Sequence, residues 1–101
     1  MIVSVIYPKT ASSHFDHDYY VHHHMPLVDR TYGAHGMKSI KVLRGTSSIG
    51  GGAIYELIAL LEFADMDSFI KAAGAHADEV MADVPKFTDI HPLVQFNDTV
   101  G

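Results

Sequence analysis

The stretch IYELIALLEF, residues 54–63, decides how this chain folds. Alternation along it puts Tyr55, Leu57, Ala59, Leu61 and Phe63 on one face, all of them apolar. Ile54, Glu56, Ile58, Leu60 and Glu62 fall on the other, and three of those five are apolar too. A strand has this two-residue period. One face wants helices over it. The other is too apolar to stand against water, and the simplest cover is a second copy of the same sheet, packed by two-fold symmetry. Glu56 and Glu62 then read as rim residues or paired charges of that face, because an unpaired buried carboxylate is costly.

Working outward, the residues just downstream predict a helix. Asp65 or Asp67 is the expected N-cap, and Met66, Phe69, Ile70 and Ala73 recur at helical spacing. Gly74 is expected to interrupt it, leaving a short helix near residues 78–83 that Pro85 ends. LVQFN, residues 93–97, reads as a final strand. Upstream, GTSSIGGGA (45–53) is a turn, and MKSIKVLR (37–44) and IVSVIY (2–7) are strands. Between those two strands, KTASSH (9–14) is a loop, and Asp16 opens a helix that runs to about Tyr32, with Gly33 as its stop. The order is β-α-β-β-α-β. It predicts an α+β fold of the ferredoxin-like type, a four-stranded antiparallel sheet with helices on one face, in a single domain spanning residues 1–101.

Composition narrows the function. A formal net charge of −5 argues against a nucleic-acid partner, which needs a basic face. The chain contains no cysteine, so disulfides and thiolate chemistry do not apply. MIVSVIYP lacks the basic flank and length of a signal peptide, and no apolar run is long enough to span a bilayer. The expectation is a soluble, cytoplasmic protein with no membrane partner.

Three adjacent histidines stand in YYVHHHMPLV, residues 19–28. On a helix they cannot share a face, since only residues three or four apart are neighbours. His22 falls beside Asp18 and Asp29 on the polar side. His23 falls at the boundary, near Asp16 and Arg30. His24 falls in the apolar arc with Tyr20, Val21, Leu27, Val28 and Thr31. No His/His pair has the spacing of a helical metal site, so no metal is expected. Pro26 should kink the helix on its polar side, by removing a hydrogen bond to the His22 carbonyl. Burial of His24 favours a neutral imidazole, whose donor and acceptor both need partners. Either the fold satisfies it, or it lines a cavity and touches a ligand.

HFDHDYYVHHHMPLV, residues 14–28, resembles the segment typical of the EthD family, F-D-x-x-Y-Y-x-x-x-H-x-P-L. Phe15, Asp16, Tyr19, Tyr20, His24, Pro26 and Leu27 fill the pattern without a gap, and of the three histidines only His24 stands at the family position. The resemblance continues through LLEFADMDSFIKAA (60–73) and EVMADVPKFTDIHPLVQF (79–96), and so covers nearly the whole chain. It implies a ferredoxin-like protomer, a homodimer of the dimeric α+β barrel kind formed by sheet-to-sheet packing, and no bound metal or organic cofactor. Similar proteins include muconolactone-type isomerases and fungal polyketide-processing decarboxylases or dehydratases.

Two functions follow. In the first, the chain serves small-molecule catabolism or secondary metabolism as a cofactor-independent isomerase, cyclase or decarboxylase. His24 and Tyr20 would be catalytic, moving a proton on a small apolar carbonyl or phenolic substrate, and Tyr19, Leu27, Phe87 and His91 would bind it. In the second, the same pocket holds or scavenges a small hydrophobic metabolite without chemistry. Haem ligation by His24 has no second feature to support it. GTSSIGGGA lacks the Gly-Lys-Ser/Thr ending of a phosphate loop. Asp83 is expected to cap a turn or bond backbone amides.

Overall fold

The computed structural model describes residues 1–101. Four strands form one sheet: β1 (Ile2–Pro8), β2 (Met37–Arg44), β3 (Tyr55–Phe63) and β4 (Leu93–Asn97). Their order across the sheet is β2-β3-β1-β4, and every neighbouring pair is antiparallel. The chain is therefore α+β, with the split β-α-β connectivity of a ferredoxin-like unit.

Register explains the two faces. Val3 stands opposite Leu61 and Val5 opposite Ala59, and β2 adds Ile40 and Val42 to the same face. This face lies under the helices, and Leu57, Ala59, Leu61 and Phe63 are buried there. Burial of each large apolar side chain contributes about 1.5–3 kcal/mol, which makes β3 the centre of the core. The opposite face carries Ile2, Ile6, Leu43, Ile58, Leu60 and Leu93 among Ser4, Lys41 and Gln95. No helix covers it.

The N-terminal helical segment departs from the expected single α-helix. It begins with one α turn, His17–Tyr19, capped by the Asp16 carboxylate, which accepts from the Tyr19 N–H at 3.0 Å. A π-helical stretch follows at Tyr20–His24, and an α-helix runs from Met25 to Gly33. Pro26 supplies the reason. It has no N–H to donate, and its ring would crowd the His22 carbonyl in a tight turn. A wider turn, in which the Met25 N–H donates to the Tyr20 carbonyl, relieves that crowding. The predicted kink thus takes the form of a π turn. Gly33 remains within the helix, and the left-handed residue that turns the chain toward β2 is Gly36, at φ +100°.

The C-terminal helix, Met66–Asp83, is unbroken through Gly74. Helix-favouring Ala72, Ala73, Ala75 and Ala77 surround that glycine and offset its cost of about 1 kcal/mol. Asp65, rather than Asp67, is the cap, accepting from the Ser68 N–H at 2.9 Å. A short 3-10 turn, Val84–Lys86, holds Pro85. Neither helix is long and apolar enough to cross a membrane.

The core has two clusters. One gathers Val3, Val28, Tyr32, Leu61, Phe63 and Val80, and the other Tyr7, Tyr20, Leu57, Ala59, Val84 and Phe87. A pin joins the ends of the two helical segments. The Asp16 N–H donates to the Phe87 carbonyl at 2.7 Å, and the His14 N–H donates to the Asp89 carboxylate at 2.9 Å. The start of the first helix is thereby held against the end of the second.

Candidate functional site

That pin sets His24 beside Asp83, across 59 residues of sequence. His22 and His23 are exposed, whereas His24 is only 3% exposed. The His22 ring bonds the Asp18 carbonyl at 2.8 Å, and the His23 ring stacks on Tyr19. His24 Nδ1 lies 2.9 Å from Asp83 Oδ2, and the Tyr19 hydroxyl donates to Asp83 Oδ1 at 2.7 Å. Asp83 therefore links two side chains of the opposite helical segment. It neither caps a turn with its side chain nor bonds backbone amides, the two roles expected for it.

The electrostatics fix the tautomer. Burial pushes the Asp83 carboxyl up, but the bonds from Tyr19 and His24, with the positive charge of Lys86 nearby, outweigh it and hold it below the usual carboxylate range. Burial lowers the His24 pKa, and the bond and charge of Asp83 counter this only in part. The imidazole is thus neutral beside an ionised carboxylate. A carboxylate only accepts, so Nδ1 carries the proton and Nε2 keeps its lone pair. Nε2 makes no hydrogen bond within the chain, and no polar side-chain atom is both sealed from solvent and unpartnered. His24 lines a cavity of about 160 Å³ between the helices and the sheet, and Nε2 is the nitrogen left free to face it.

The cavity lies where the two core clusters meet. Tyr20, His24, Val28 and Tyr32, four residues apart along the first helical segment, form one wall. Val3, Val5 and Tyr7 of β1 form the floor with Ala59 and Leu61 of β3. Ala73, Ala77, Val80 and Met81 of the C-terminal helix form the far wall, with Pro92 and Val94 near β4. No Asp, Glu, Lys or Arg lines it. The hydroxyls of Tyr7, Tyr20 and Tyr32 make no hydrogen bond within the chain, although all three residues are buried. Burial raises the pKa of each phenol, and Tyr20 raises that of Tyr7 further, so all three remain neutral donors.

The residues singled out from sequence take different places. His24 and Tyr20 both line the cavity, with rings 5.2 Å apart. Tyr19 lies outside it, half-buried, on Asp83. Phe87 is fully buried behind the site, its ring 4.6 Å from that of His24. Leu27 is half-buried against the other core cluster and His91 is exposed, and neither lines the cavity. Sequence reasoning missed Asp83 as the partner of His24, and Tyr7 and Tyr32 as cavity walls. Tyr7 had a signal: it continues the inward alternation Val3, Val5, Tyr7. No group of three or more His, Asp or Glu side chains converges as a metal-binding set.

Comparison with known proteins agrees with this architecture. An EthD-like protein from Ralstonia eutropha JMP134 superposes with a TM-score of 0.85 at 29% identity, covering 93% of this chain and 86% of that one. An EthD family protein from Bacillus halodurans C-125 gives 0.67 at 18% identity, over 96% and 97% of the two chains. HapK from Hahella chejuensis shares the fold, with a TM-score of 0.55 at 14% identity over 100% and 96%. No protein of curated function matches the sequence. The EthD domain pattern matches residues 9–91, which include His24, Asp83 and every tyrosine of the cavity except Tyr7. The chain belongs to the EthD family.

Proposed function

We propose that the chain is a cofactor-independent enzyme that moves a proton on a small apolar carbonyl or phenolic substrate, with His24 as the base. The observation that carries this is a neutral His24 in the wall of an apolar cavity, with Asp83 bonded to Nδ1 and Nε2 without a partner in the chain. Asp83 orients the imidazole and stabilises the imidazolium that forms when Nε2 takes a proton. In the step, a C–H bond beside a carbonyl breaks and an N–H bond forms. The C–H pair becomes a carbon–carbon double bond, and the carbonyl pair moves onto oxygen. A phenol of Tyr20 or Tyr7 can donate to that oxygen in a site free of competing charge. Return of the proton to a different carbon is an isomerisation. Return after carbon–carbon bond formation is an aldol-type cyclisation. In decarboxylation Nε2 takes the proton of the carboxylic acid, the bond from carbon to the carboxyl group breaks, carbon dioxide leaves, and the proton goes to the carbon left with the electron pair.

Incubation with ring ketones in D₂O, followed by proton NMR, tests the reading. Wild type should exchange the hydrogens next to the carbonyl and His24→Asn should not; no exchange in wild type across the panel sinks it. A second reading, a protein that holds a hydrophobic metabolite without reacting it, draws on the lack of any charged side chain in the cavity lining. It expects binding with no exchange. We further propose that two copies pair through the uncovered sheet face, on the strength of Ile2, Ile6, Leu43, Ile58 and Leu60 gathered there. A monomer mass in sedimentation at micromolar concentration would exclude that dimer.

A further inference from the structure

We propose that the substrate is an uncharged, ring-sized molecule with one oxygen, seated by the Tyr7 and Tyr20 hydroxyls against His24, and that the site rejects carboxylates. The inference rests on the proton-transfer reading and narrows it. Size comes from the cavity, about 160 Å³. An apolar protein cavity of about 150 Å³ accommodates benzene, so the enclosed part of a ligand here is a six-membered ring with a small substituent.

The polar groups set the chemistry. In an otherwise apolar lining, Tyr7, Tyr20 and His24 are at least nine-tenths buried. Each has a polar atom that makes no hydrogen bond in the chain and keeps some access to solvent: the two hydroxyls and Nε2. None of these atoms is sealed from solvent, so each is open to a partner from outside the chain, and a ligand oxygen is one that suits them. The Tyr7 and Tyr20 rings stand 6.3 Å apart and those of Tyr20 and His24 5.2 Å, so the three side chains are neighbours on the cavity wall. Two donors and one acceptor suit an oxygen and an adjacent acidic hydrogen, as in a phenol or an enolisable ring ketone.

Charge is excluded on two grounds. No cation lines the cavity to compensate a carboxylate, and removing an unpaired charge from water is expensive. Asp83, immediately behind His24, adds repulsion. Lys86 stands 3.8 Å from Asp83 Oδ1 with its own side chain 66% exposed, and it does not line the cavity. Of the three reaction types, isomerisation and cyclisation fit a neutral substrate, and decarboxylation of an ionised acid does not.

Calorimetric titration of the full chain at pH 7.5 with phenol, cyclohex-2-enone, toluene and benzoate tests this. Phenol and cyclohexenone should bind at least tenfold more tightly than benzoate. The double variant Tyr7→Phe/Tyr20→Phe keeps the rings in place and should bind phenol no better than toluene. Ala77→Leu fills the far wall with a good helix former and should abolish binding. Benzoate binding as well as phenol, phenol affinity unchanged in both variants, or no binding of any neutral probe would each overturn the proposal. The two readings fail separately. Neutral ligands that bind but show no His24-dependent deuterium exchange leave the ligand class standing and remove the proton transfer. His24-dependent exchange on a ring keto acid that binds as its anion does the reverse.

Discussion

Asp83→Asn isolates what the carboxylate does for His24. Asn keeps the shape; with its carbonyl accepting from Nδ1 and its amide N–H donating to the Tyr19 hydroxyl, both contacts survive as neutral bonds. A hydrogen bond to a charged group contributes about 1.5–3 kcal/mol and a neutral one about 0.5–1.5 kcal/mol. With the His24 side chain 4% exposed and that of Asp83 10% exposed, solvent compensates little, and the loss should be about 1 kcal/mol. For a domain of this size that lowers Tm by about 5 °C. The sharper readout is the imidazole. Burial lowers the His24 pKa, and Asp83 opposes it. With the charge gone, the pKa should fall further below 6.5. The pH dependence follows. A histidine with a depressed folded pKa adds stability that is present above its unfolded value and is lost as pH falls from there toward the folded value. In Asp83→Asn this loss should continue to lower pH than in wild type. The Asp83 contribution, present above 3.8 and lost as pH falls through the lower folded value, should vanish from the variant. NMR titration of the His24 ring and melting curves across pH provide the measurements. A His24 pKa that is unchanged or higher in the variant would refute the argument that the carboxylate charge supports the imidazole.

The remaining predictions concern the frame around the site. Phe87→Ala should cost about 3–5 kcal/mol in urea unfolding, because this fully buried ring packs against Tyr7, Phe15, Tyr20 and His24. Gly74→Ala should raise stability by about 0.8–1 kcal/mol, since an added Cβ meets nothing within 4 Å and the helix is continuous there; a lower melting temperature would contradict the unbroken helix. Gly45→Ala should destabilise by about 1–3 kcal/mol, because its Cβ would fall 2.0 Å from the Tyr55 carbonyl oxygen and force the backbone apart, a shift that melting curves would register.

The sheet was legible because each strand announces itself by alternation over its own length. Once β3 shows apolar residues on both faces, the layer order follows from who can cover what. The helices were legible in place but not in detail. Gly74 looked like a break because propensity is a weak prior, and the alanines on either side of it together with packing against β2 and β3 outweigh it. The π turn at Tyr20–His24 has no periodic signature of its own. It arises from Pro26, whose cost could be seen, while the way the backbone absorbs that cost could not.

The site was half legible for a related reason. His24 and Tyr20 sit four apart on one inward stripe, and local periodicity is enough to pair them. Asp83 reaches His24 only because two segments far apart in sequence are pinned through Asp16 and Phe87. Nothing within a turn or two of Asp83 foretells that partner. Its aspect in sequence, an acid at a helix end before Val84 and Pro85, is that of a cap. The distinction matters for mechanism. A histidine enclosed by apolar groups alone is a weak base, since burial opposes the charge it must acquire. The same histidine with an ionised carboxylate on its far nitrogen can take a proton while remaining neutral at rest. On the proton-transfer proposal, the feature that would make His24 a base is therefore a tertiary contact, while the feature that makes it visible is a local pattern.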